Sequence, residues 1–251
     1  MRRLVPIAIT AAALLVAPTA EATFRGANGR LAAHVDTDRG PRVASLRLDG
    51  RGWRRIGKLD ASVPYAEEQS GRAKWSPSGR RVVYVNLVRG VEVRSASGRL
   101  LRRIRTTEGR DPAWAPSGRE IVTASYDEED GALVRMRLDA TVVRRLPLPQ
   151  LAGAMYPEWS PDGRWIVFQE ARPRATLIWR MRPDGTGMER LGEGRNPTWS
   201  PDGRRIAVST FRYGFGIARP YRLLTVPAGG GRATVHRHSG TLFQWPDWQP
   251  R

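Results

Sequence analysis

Short apolar runs separated by turn-forming residues recur along almost the whole chain. Between positions 157 and 192 the chain reads PEW, SPDGR, WIVFQEA, TLIWRMR, PDGTG and MERLG. The apolar runs are rich in β-branched and aromatic residues, which favour strands, whereas Gly, Pro, Asp and Ser between them favour turns. With PEW counted as a short extended piece, this unit holds four strands. Beyond the first 22 residues, no segment shows sustained helical periodicity.

The same unit occurs several times, and each copy contains a tryptophan phrase. The copies read WSPSGRRVVYV from Trp75, WAPSGREIVTA from Trp114, WSPDGRWIVF from Trp159 and WSPDGRRIAV from Trp199. A degenerate copy, FRGANGRLAAHV, begins at Phe24, and PDWQPR around Trp248 begins a further one. A four-stranded antiparallel unit repeated about every 40 to 50 residues is typical of a β-propeller blade.

The pattern therefore predicts an all-β propeller of five blades, closed by the two ends of the chain. The first copy supplies three strands, GRLAAHV, RVASLRL and WRRIGKL, and PDW at 246–248 would supply the missing fourth strand. Such closure removes exposed sheet edges, which otherwise promote aggregation. Six blades are the alternative, because LDASVPYAEEQSGR at 59–72 could contain a degenerate element.

The repeated residues have predictable structural roles. Burying one tryptophan removes roughly 150–250 Å² from water, which contributes on the order of 4–6 kcal/mol as an upper estimate. We expect one tryptophan to pack between each pair of adjacent blades, and the candidates are Trp75, Trp114, Trp159, Trp199 and Trp248. In the following turn, proline restricts the backbone and glycine takes positive φ. The residue before that glycine varies among Asp, Ser and Asn; all three can bond the local backbone but only Asp is charged, which favours a turn over a calcium site.

The first 22 residues resemble an export signal. MRR is followed by the apolar run LVPIAITAAALLVA and by Ala20-Glu21-Ala22, a small-x-small cleavage site. We expect cleavage between Ala22 and Thr23, which leaves 23–251 as a single domain that is periplasmic or extracellular. A retained membrane anchor is the alternative, although the run is shorter than the roughly 20 residues that span a bilayer. No other apolar run approaches that length.

Composition narrows the chemistry that the chain can perform. It has no cysteine, which excludes disulfides, thiolate metal sites and a cysteine nucleophile. Its 42 Lys and Arg residues against 24 Asp and Glu give a net charge of +18, and Lys58 and Lys74 are the only lysines. This arginine bias fits an anion-binding face, but it fits coding composition equally well, so both explanations stay open.

The tryptophan phrases resemble the WD40-like repeats of TolB-type propellers, also called PD40 repeats, and the resemblance covers nearly all of the chain after residue 22. It implies the fold more strongly than an activity, because similar repeats occur in TolB, in propeller domains of prolyl-oligopeptidase-like peptidases and in other exported proteins. TolB is expected to carry a mixed α/β domain before its propeller, and the peptidases carry an α/β-hydrolase domain. Because the repeats begin soon after residue 22 and occupy nearly all of the residues that follow, we expect neither domain here.

Motifs for catalysis or for metal binding are weak. The patterns G-x-S-x-G, G-x-x-x-x-G-K-[ST] and G-x-G-x-x-G are absent. His236 and His238 would point to one face of a strand, as zinc ligands can, but Arg232 and Arg237 beside them would repel a cation. The acidic cluster DEED at 127–130 lacks the spacing of a calcium loop and indicates a solvated turn. We therefore expect no metal and no cofactor.

The candidate binding residues lie where the chain enters each tryptophan phrase. Loops entering the innermost strands of a propeller gather around one mouth of its central channel, and rigid scaffolds often present function on such loops. Arginine combined with aromatic and acidic residues suits a peptide or an anionic ligand, although the same residues could simply satisfy turn backbones. The candidates are Arg72, Arg110, Asp111, Tyr156, Glu158, Arg195, Asn196, Trp245 and Asp247.

These observations together predict a non-catalytic, exported binding module that acts as a monomer. The expected partner is another envelope protein or an anionic wall or surface polymer; export argues against nucleic acid. The alternative function is an extracytoplasmic hydrolase of glycans or esters that uses carboxylates at the channel mouth, such as Glu158 and Asp247.

Overall fold

A computed structural model describes residues 30–35, 42–47, 54–58, 73–86, 90–105, 110–125, 132–146, 148, 151, 153–173, 175–210 and 222–236. Within these ranges every regular element is a β-strand, and no helix is long and apolar enough to cross a membrane. The strands in chain order are β1 (Arg30–Val35), β2 (Arg42–Arg47), β3 (Arg54–Lys58), β4 (Lys74–Trp75), β5 (Arg81–Asn86), β6 (Gly90–Ser95), β7 (Leu100–Ile104), β8 (Arg110–Trp114), β9 (Glu120–Ala124), β10 (Leu133–Arg137), β11 (Val142–Leu146), β12 (Ala154–Trp159), β13 (Ile166–Ala171), β14 (Thr176–Met181), β15 (Glu189–Glu193), β16 (Arg195–Trp199), β17 (Arg205–Thr210), β18 (Arg222–Pro227) and β19 (Thr234–His236).

The strands form successive antiparallel sheets in which each strand pairs with the next one along the chain. Sheet 1 contains β1–β3, sheet 2 contains β4–β7, sheet 3 contains β8–β11, sheet 4 contains β12–β15 and sheet 5 contains β16–β19. The first strands of sheets 2 to 5 lie against one another, so they are innermost, and the fourth strand of each sheet is outermost. The arrangement is a β-propeller built from four-stranded antiparallel blades.

The blade count differs from the one that the sequence predicts. In the described residues the structure shows four complete four-stranded blades, sheets 2 to 5, so five and six are both wrong as counts of complete blades there. Sheet 1 has three strands because its copy of the repeat contains only three apolar runs. Its expected fourth strand at 246–248 and the segment 59–72 lie outside the described residues, so closure of the ring by the chain ends stays a prediction.

One tryptophan from the later sheet is buried in the core between each pair of successive sheets. Trp75 lies in the cluster between sheets 1 and 2, Trp114 between sheets 2 and 3, Trp159 between sheets 3 and 4, and Trp199 between sheets 4 and 5. Each of these indoles is at most 4% exposed. Trp248 lies outside the described residues.

The turn after each tryptophan is closed by its own polar side chains. In sheet 4 the Ser160 hydroxyl accepts a hydrogen bond from the Trp165 backbone N–H and donates one of 2.6 Å to Asp162. Asp162 also accepts the Arg164 N–H, and Gly163 has φ of +72°. Sheet 5 repeats these contacts. The aspartate of the repeat is therefore occupied as a turn cap.

A second recurring turn joins the third and fourth strands and lies over the outermost strand of the preceding sheet. Gly98, Gly185 and Gly230 occupy it with φ near +90° in sheets 2, 4 and 5. A Cβ on Gly98 would lie 2.8 Å from the carbonyl oxygen of Arg55 in sheet 1. Sheet 3 places Ala140 at the same position with φ of +74°, a conformation that an L-residue with a Cβ adopts at a cost.

Replacing Ala140 with glycine should raise the free energy of unfolding by up to about 1 kcal/mol, because relief of the left-handed strain exceeds the extra chain entropy of glycine. The matched change Gly98→Ala should lower it by more than about 1 kcal/mol, since it adds both strain and a backbone clash. Urea unfolding of the two variants tests this expectation. A shift in the same direction for both would contradict the turn geometry.

Candidate functional site

The innermost strands of sheets 3, 4 and 5 share a bulge just before their tryptophans. In each, two residues of the first strand lie opposite one residue of the second, and the second of those two residues is a proline. Proline cannot donate a hydrogen bond to the neighbouring strand, so regular pairing cannot continue through it. The innermost strand of sheet 2 lacks this proline and pairs Lys74 and Trp75 regularly with β5.

The residue before each of these prolines has a left-handed backbone. Asp111, Tyr156 and Asn196 have φ of 53°, 51° and 54°, respectively. Asp and Asn adopt this conformation several times more often than other residues with a side chain, but for a bulky residue such as Tyr156 it is unusual. Three sheets thus place a residue with the same strained backbone conformation at the same level around the propeller axis.

A narrow pocket lies where these innermost strands meet. Two of the left-handed residues, Asp111 and Tyr156, line it beside a lysine and a glutamate. The remaining lining consists of prolines from the bulges, and the full set is Lys74, Asp111, Pro112, Tyr156, Pro157, Glu158 and Pro197.

The Glu158 carboxylate connects three sheets inside this pocket. Its Oε2 lies 3.4 Å from the Lys74 Nζ of sheet 2, and Oε1 accepts hydrogen bonds from the Thr198 hydroxyl at 3.1 Å and the Trp199 backbone N–H at 2.9 Å, both in sheet 5. The side chain is 3% exposed. The equivalent position of sheet 3 holds Ala113, whose methyl group cannot donate a hydrogen bond to the carboxylate.

Burial raises the pKa of the Glu158 carboxyl, and attraction to Lys74 and the two hydrogen bonds offset that effect only in part. The ionised form is therefore less favourable here than in water, as is common for an ion pair taken out of solvent. The two oxygens of Glu158 are already bonded to three donors. Glu158 therefore serves to connect the sheets and is poorly placed to bind a ligand.

The other predicted site residues are distributed around this pocket rather than gathered in it. Arg110, Arg195 and Asn196 lie on the same innermost strands but do not line the pocket. The Arg195 side chain donates to Thr176 at 3.2 Å, and the Asn196 backbone N–H donates to the Gln169 side chain at 2.8 Å. The remaining three, Arg72, Trp245 and Asp247, lie outside the described residues.

Sequence reasoning missed Lys74 as a member of this site. Two signals pointed to it: Lys74 is one of only two lysines, and it occupies the position before the repeated tryptophan, where another copy has Glu158. Opposite charges at equivalent repeat positions face the same axis. Among the described residues there is no group of three or more side chains that could hold a metal ion. The acidic cluster 127–130 and His238 fall outside those residues.

Glu158→Gln should lower the free energy of unfolding at neutral pH by less than Glu158→Ala does, because the amide oxygen can still accept from Trp199 although Lys74 loses its counter-charge. Glu158→Ala should lower it by about 3 kcal/mol, because Lys74 and the donors of sheet 5 then lose their acceptor. Chemical denaturation of both variants at neutral pH provides the comparison. Equal losses for the two would show that the carboxylate charge, not its hydrogen bonding, stabilises the fold.

The raised pKa also predicts a pH dependence. Between the ordinary glutamate pKa of 4.5 and the raised value, the folded protein retains a proton that the unfolded chain has lost. The stability contributed by this group therefore falls as the pH rises through that window and stays constant above it. The free energy of unfolding of Glu158→Gln, measured relative to that of the unsubstituted protein, should rise with pH across the same window. A difference between the two proteins that does not change with pH would contradict burial as the cause.

Comparison with known proteins supports the fold at low sequence identity. No family model and no curated protein matches the chain. A TolB-like protein from Agrobacterium tumefaciens matches with a TM-score of 0.67 and 20% identity, over 87% of this chain and 80% of that one. TolB from Acinetobacter baumannii gives 0.64 and 17%, over 82% of this chain but only 52% of its own. A chain of a nidogen/laminin complex gives 0.64 and 15%, over 87% and 80%.

These identities show a shared fold and nothing finer, and the chain spans about half the length of the Acinetobacter protein. The resemblance predicted from the tryptophan phrases is confirmed at that level. The chain has the β-propeller fold that these structures share.

Proposed function

We propose that the protein is a non-catalytic binding module whose ligand contacts the end of the propeller where the innermost strands begin. The observation that carries this proposal is the set of left-handed residues Asp111, Tyr156 and Asn196, each placed before a proline at the same level of three successive sheets. Strained backbone persists only where the surrounding structure enforces it, and it concentrates at ligand-binding sites.

The side chains near these bulges suit an extended peptide with acidic groups. Arg110 and Arg195 begin their strands and can bind a carboxylate through two parallel hydrogen bonds. Tyr156 adds an aromatic contact of the kind enriched in protein interfaces. The pocket behind them is narrow and lined by prolines, which favours a ligand that binds across the mouth.

The proposed setting is the cell envelope, with residues 23–251 acting as one domain after cleavage between Ala22 and Thr23. The charged start, apolar run and small-x-small site of the first 22 residues support export. Similarity to TolB structures is compatible with an envelope protein as the partner. An anionic surface polymer is the other ligand of matching charge, and the binding experiment below distinguishes it.

One observation favours the alternative function, a hydrolase. Glu158 has a raised pKa and shares the pocket with a second carboxylate, Asp111, and such pairs can serve as acid and base. The three donors on Glu158 argue against it, since a general acid must be able to reach a substrate. Turnover of glycans or small esters by the unsubstituted protein, lost in Glu158→Gln and in Asp111→Asn, would establish hydrolysis and remove the binding-only function.

The test of the binding function is capture of an envelope partner by the processed protein immobilised as bait. Charge reversal of Arg110 and Arg195 to Glu should lower capture by more than about ten-fold, because each arginine contributes a charge-assisted contact. Tyr156→Gly, which deletes the ring but keeps the positive φ, should lower it as well. The matched control reverses Arg119 and Arg204, two exposed arginines in turns at the opposite end of the sheets, and should bind normally.

Equal capture by the mouth and control variants would overturn the proposal. Capture that survives protease treatment of the extract but is lost after removal of anionic polymer would assign the mouth to a surface polymer instead of a protein.

A further inference from the structure

The outermost strands of sheets 1, 2 and 3 repeat one pattern, two arginines followed by a buried aliphatic residue. They read RRI at 54–56, RRI at 102–104 and RRL at 144–146. The aliphatic members Ile56, Ile104 and Leu146 are at most 2% exposed, and each lies in an inter-sheet core. Because this buried residue fixes the register of the strand, the arginine pairs lie at the same level in three successive sheets.

Contacts between sheets make these strands neighbours around the outside of the propeller. The turn at Gly98 in sheet 2 lies against the backbone of Arg55 and Ile56 in sheet 1. In sheet 3, Leu138 of the equivalent turn packs against the cluster that contains Ile104 of sheet 2. We call the outer surface of β3, β7 and β11 the basic rim. Its arginines are Arg54, Arg55, Arg102, Arg103, Arg144 and Arg145.

Among the described residues, little negative charge offsets the basic rim. Arg54, Arg55 and Arg102 are exposed and form no ion pair with another described residue. Arg103 binds Glu92 at 3.0 Å, but that buried carboxylate also binds Arg94 at 2.8 Å, so two arginines share one negative charge.

Two further carboxylates lie close to the rim. Within the described part of sheets 1 to 3 the one exposed carboxylate is Asp139, which accepts a hydrogen bond from Thr141. Arg144 is near enough to Asp184 of sheet 4 to contribute to the lowering of its pKa, after the hydrogen bonds from Thr186. Counted over the residues that the structure describes, the rim therefore keeps a positive excess.

Exposed aliphatic side chains lie directly beside the arginine pairs. Leu100 and Leu101 precede the pair on β7, and Val142 and Val143 precede the pair on β11. They are 38%, 39%, 50% and 37% exposed, and they are four of the five large apolar side chains that are exposed in the described residues. Aliphatic groups next to arginines match the interface of a bilayer, where apolar side chains reach the acyl boundary and cations meet anionic headgroups.

The outermost strand of sheet 4 shows that this combination is not a general feature of the propeller edge. It carries Glu189 and Glu193 beside Arg190, and Glu189 pairs with Arg180 at 2.6 Å. Charges on edge strands also serve to prevent edge-to-edge aggregation, and mixed charges suffice for that purpose. Protection of the edge alone explains neither why the charges of the rim are all positive nor why aliphatic residues accompany them.

We propose that the basic rim of sheets 1 to 3 is a docking surface for an anionic phospholipid bilayer. The arginines bind lipid phosphates, and the aliphatic side chains enter the headgroup region beside them. This surface is distinct from the channel mouth, because it lies on the outermost strands, three strands away from the innermost ones. A purely ionic polymer would leave the four aliphatic side chains in water, so the bilayer is the better match.

The test is cosedimentation of the processed protein with vesicles of phosphatidylglycerol and phosphatidylcholine. Mass spectrometry first determines the N terminus of that protein. Binding should require phosphatidylglycerol and weaken with salt. The triple change Arg54→Gln, Arg55→Gln and Arg102→Gln should lower the vesicle affinity by more than about ten-fold. The matched control removes three exposed arginines elsewhere, Arg119, Arg164 and Arg204, and should retain most of the affinity. The double change Leu100→Ser and Leu101→Ser should lower it several-fold without changing the net charge.

Four outcomes would overturn the proposal. The first is absence of binding to anionic vesicles, and the second is an equal loss in the rim and control variants. The third is tighter binding of soluble polyphosphate that the leucine variants do not weaken, which would assign the rim to an anionic polymer. Size-exclusion chromatography of every variant separates lost binding from aggregation, and aggregation of the rim variants with unchanged vesicle binding would reduce the rim to edge protection.

Discussion

The contact on which this structure depends is a buried indole between each sheet and the next. A sheet of short strands cannot bury both of its faces by itself, so its stability depends on its neighbours. Trp114 shows how one residue provides the link: it is 1% exposed, its Nε1–H donates to the Lys74 carbonyl of the preceding sheet at 3.1 Å, and the guanidinium of Arg81 lies 5.0 Å from its ring centroid. Trp199 repeats the N–H contact, at 3.3 Å to the carbonyl of Glu158.

This anchoring also determines the geometry of the candidate site. Because each tryptophan is fixed in a core, the residues just before it must lie close to the propeller axis. A proline two positions upstream then interrupts the pairing with the second strand and turns the preceding residue into a left-handed conformation, as at Tyr156. The position directly before the tryptophan holds Lys74 in sheet 2 and Glu158 in sheet 4, and these two side chains pair across the axis. The tryptophan packing, the strained backbone and the charges at the mouth therefore all come from neighbouring positions of the same repeat.

The repeat made the sheets, their turns and the inter-sheet tryptophans predictable, because those features depend on residues close together in sequence. The Lys74–Glu158 pair was not predictable, since it joins sheets 2 and 4 across the axis and requires the curvature of the ring. Ala140 was equally hidden, because no local rule places an alanine in a turn where its counterparts are glycines. The arginine pairs can be read from the sequence, but their exposure could not be predicted, because it depends on the burial of Ile104 and its equivalents. The described residues form four complete blades, not the five or six that the repeat predicted, because the first copy of the repeat contributes only three strands.

The most direct test of the account is the unfolding free energy of Trp114→Ala compared with Trp165→Ala. Both changes delete an indole that lies near an arginine, at 5.0 Å from Arg81 and 4.1 Å from Arg180, respectively. Trp114 is fully buried between sheets, whereas Trp165 is only partly buried where it packs against the core between sheets 4 and 5. The account predicts a loss of about 3–5 kcal/mol for Trp114→Ala and at most about half of that loss for Trp165→Ala. Similar small losses for both variants would contradict it, because the sheets would then not depend on the indole between them.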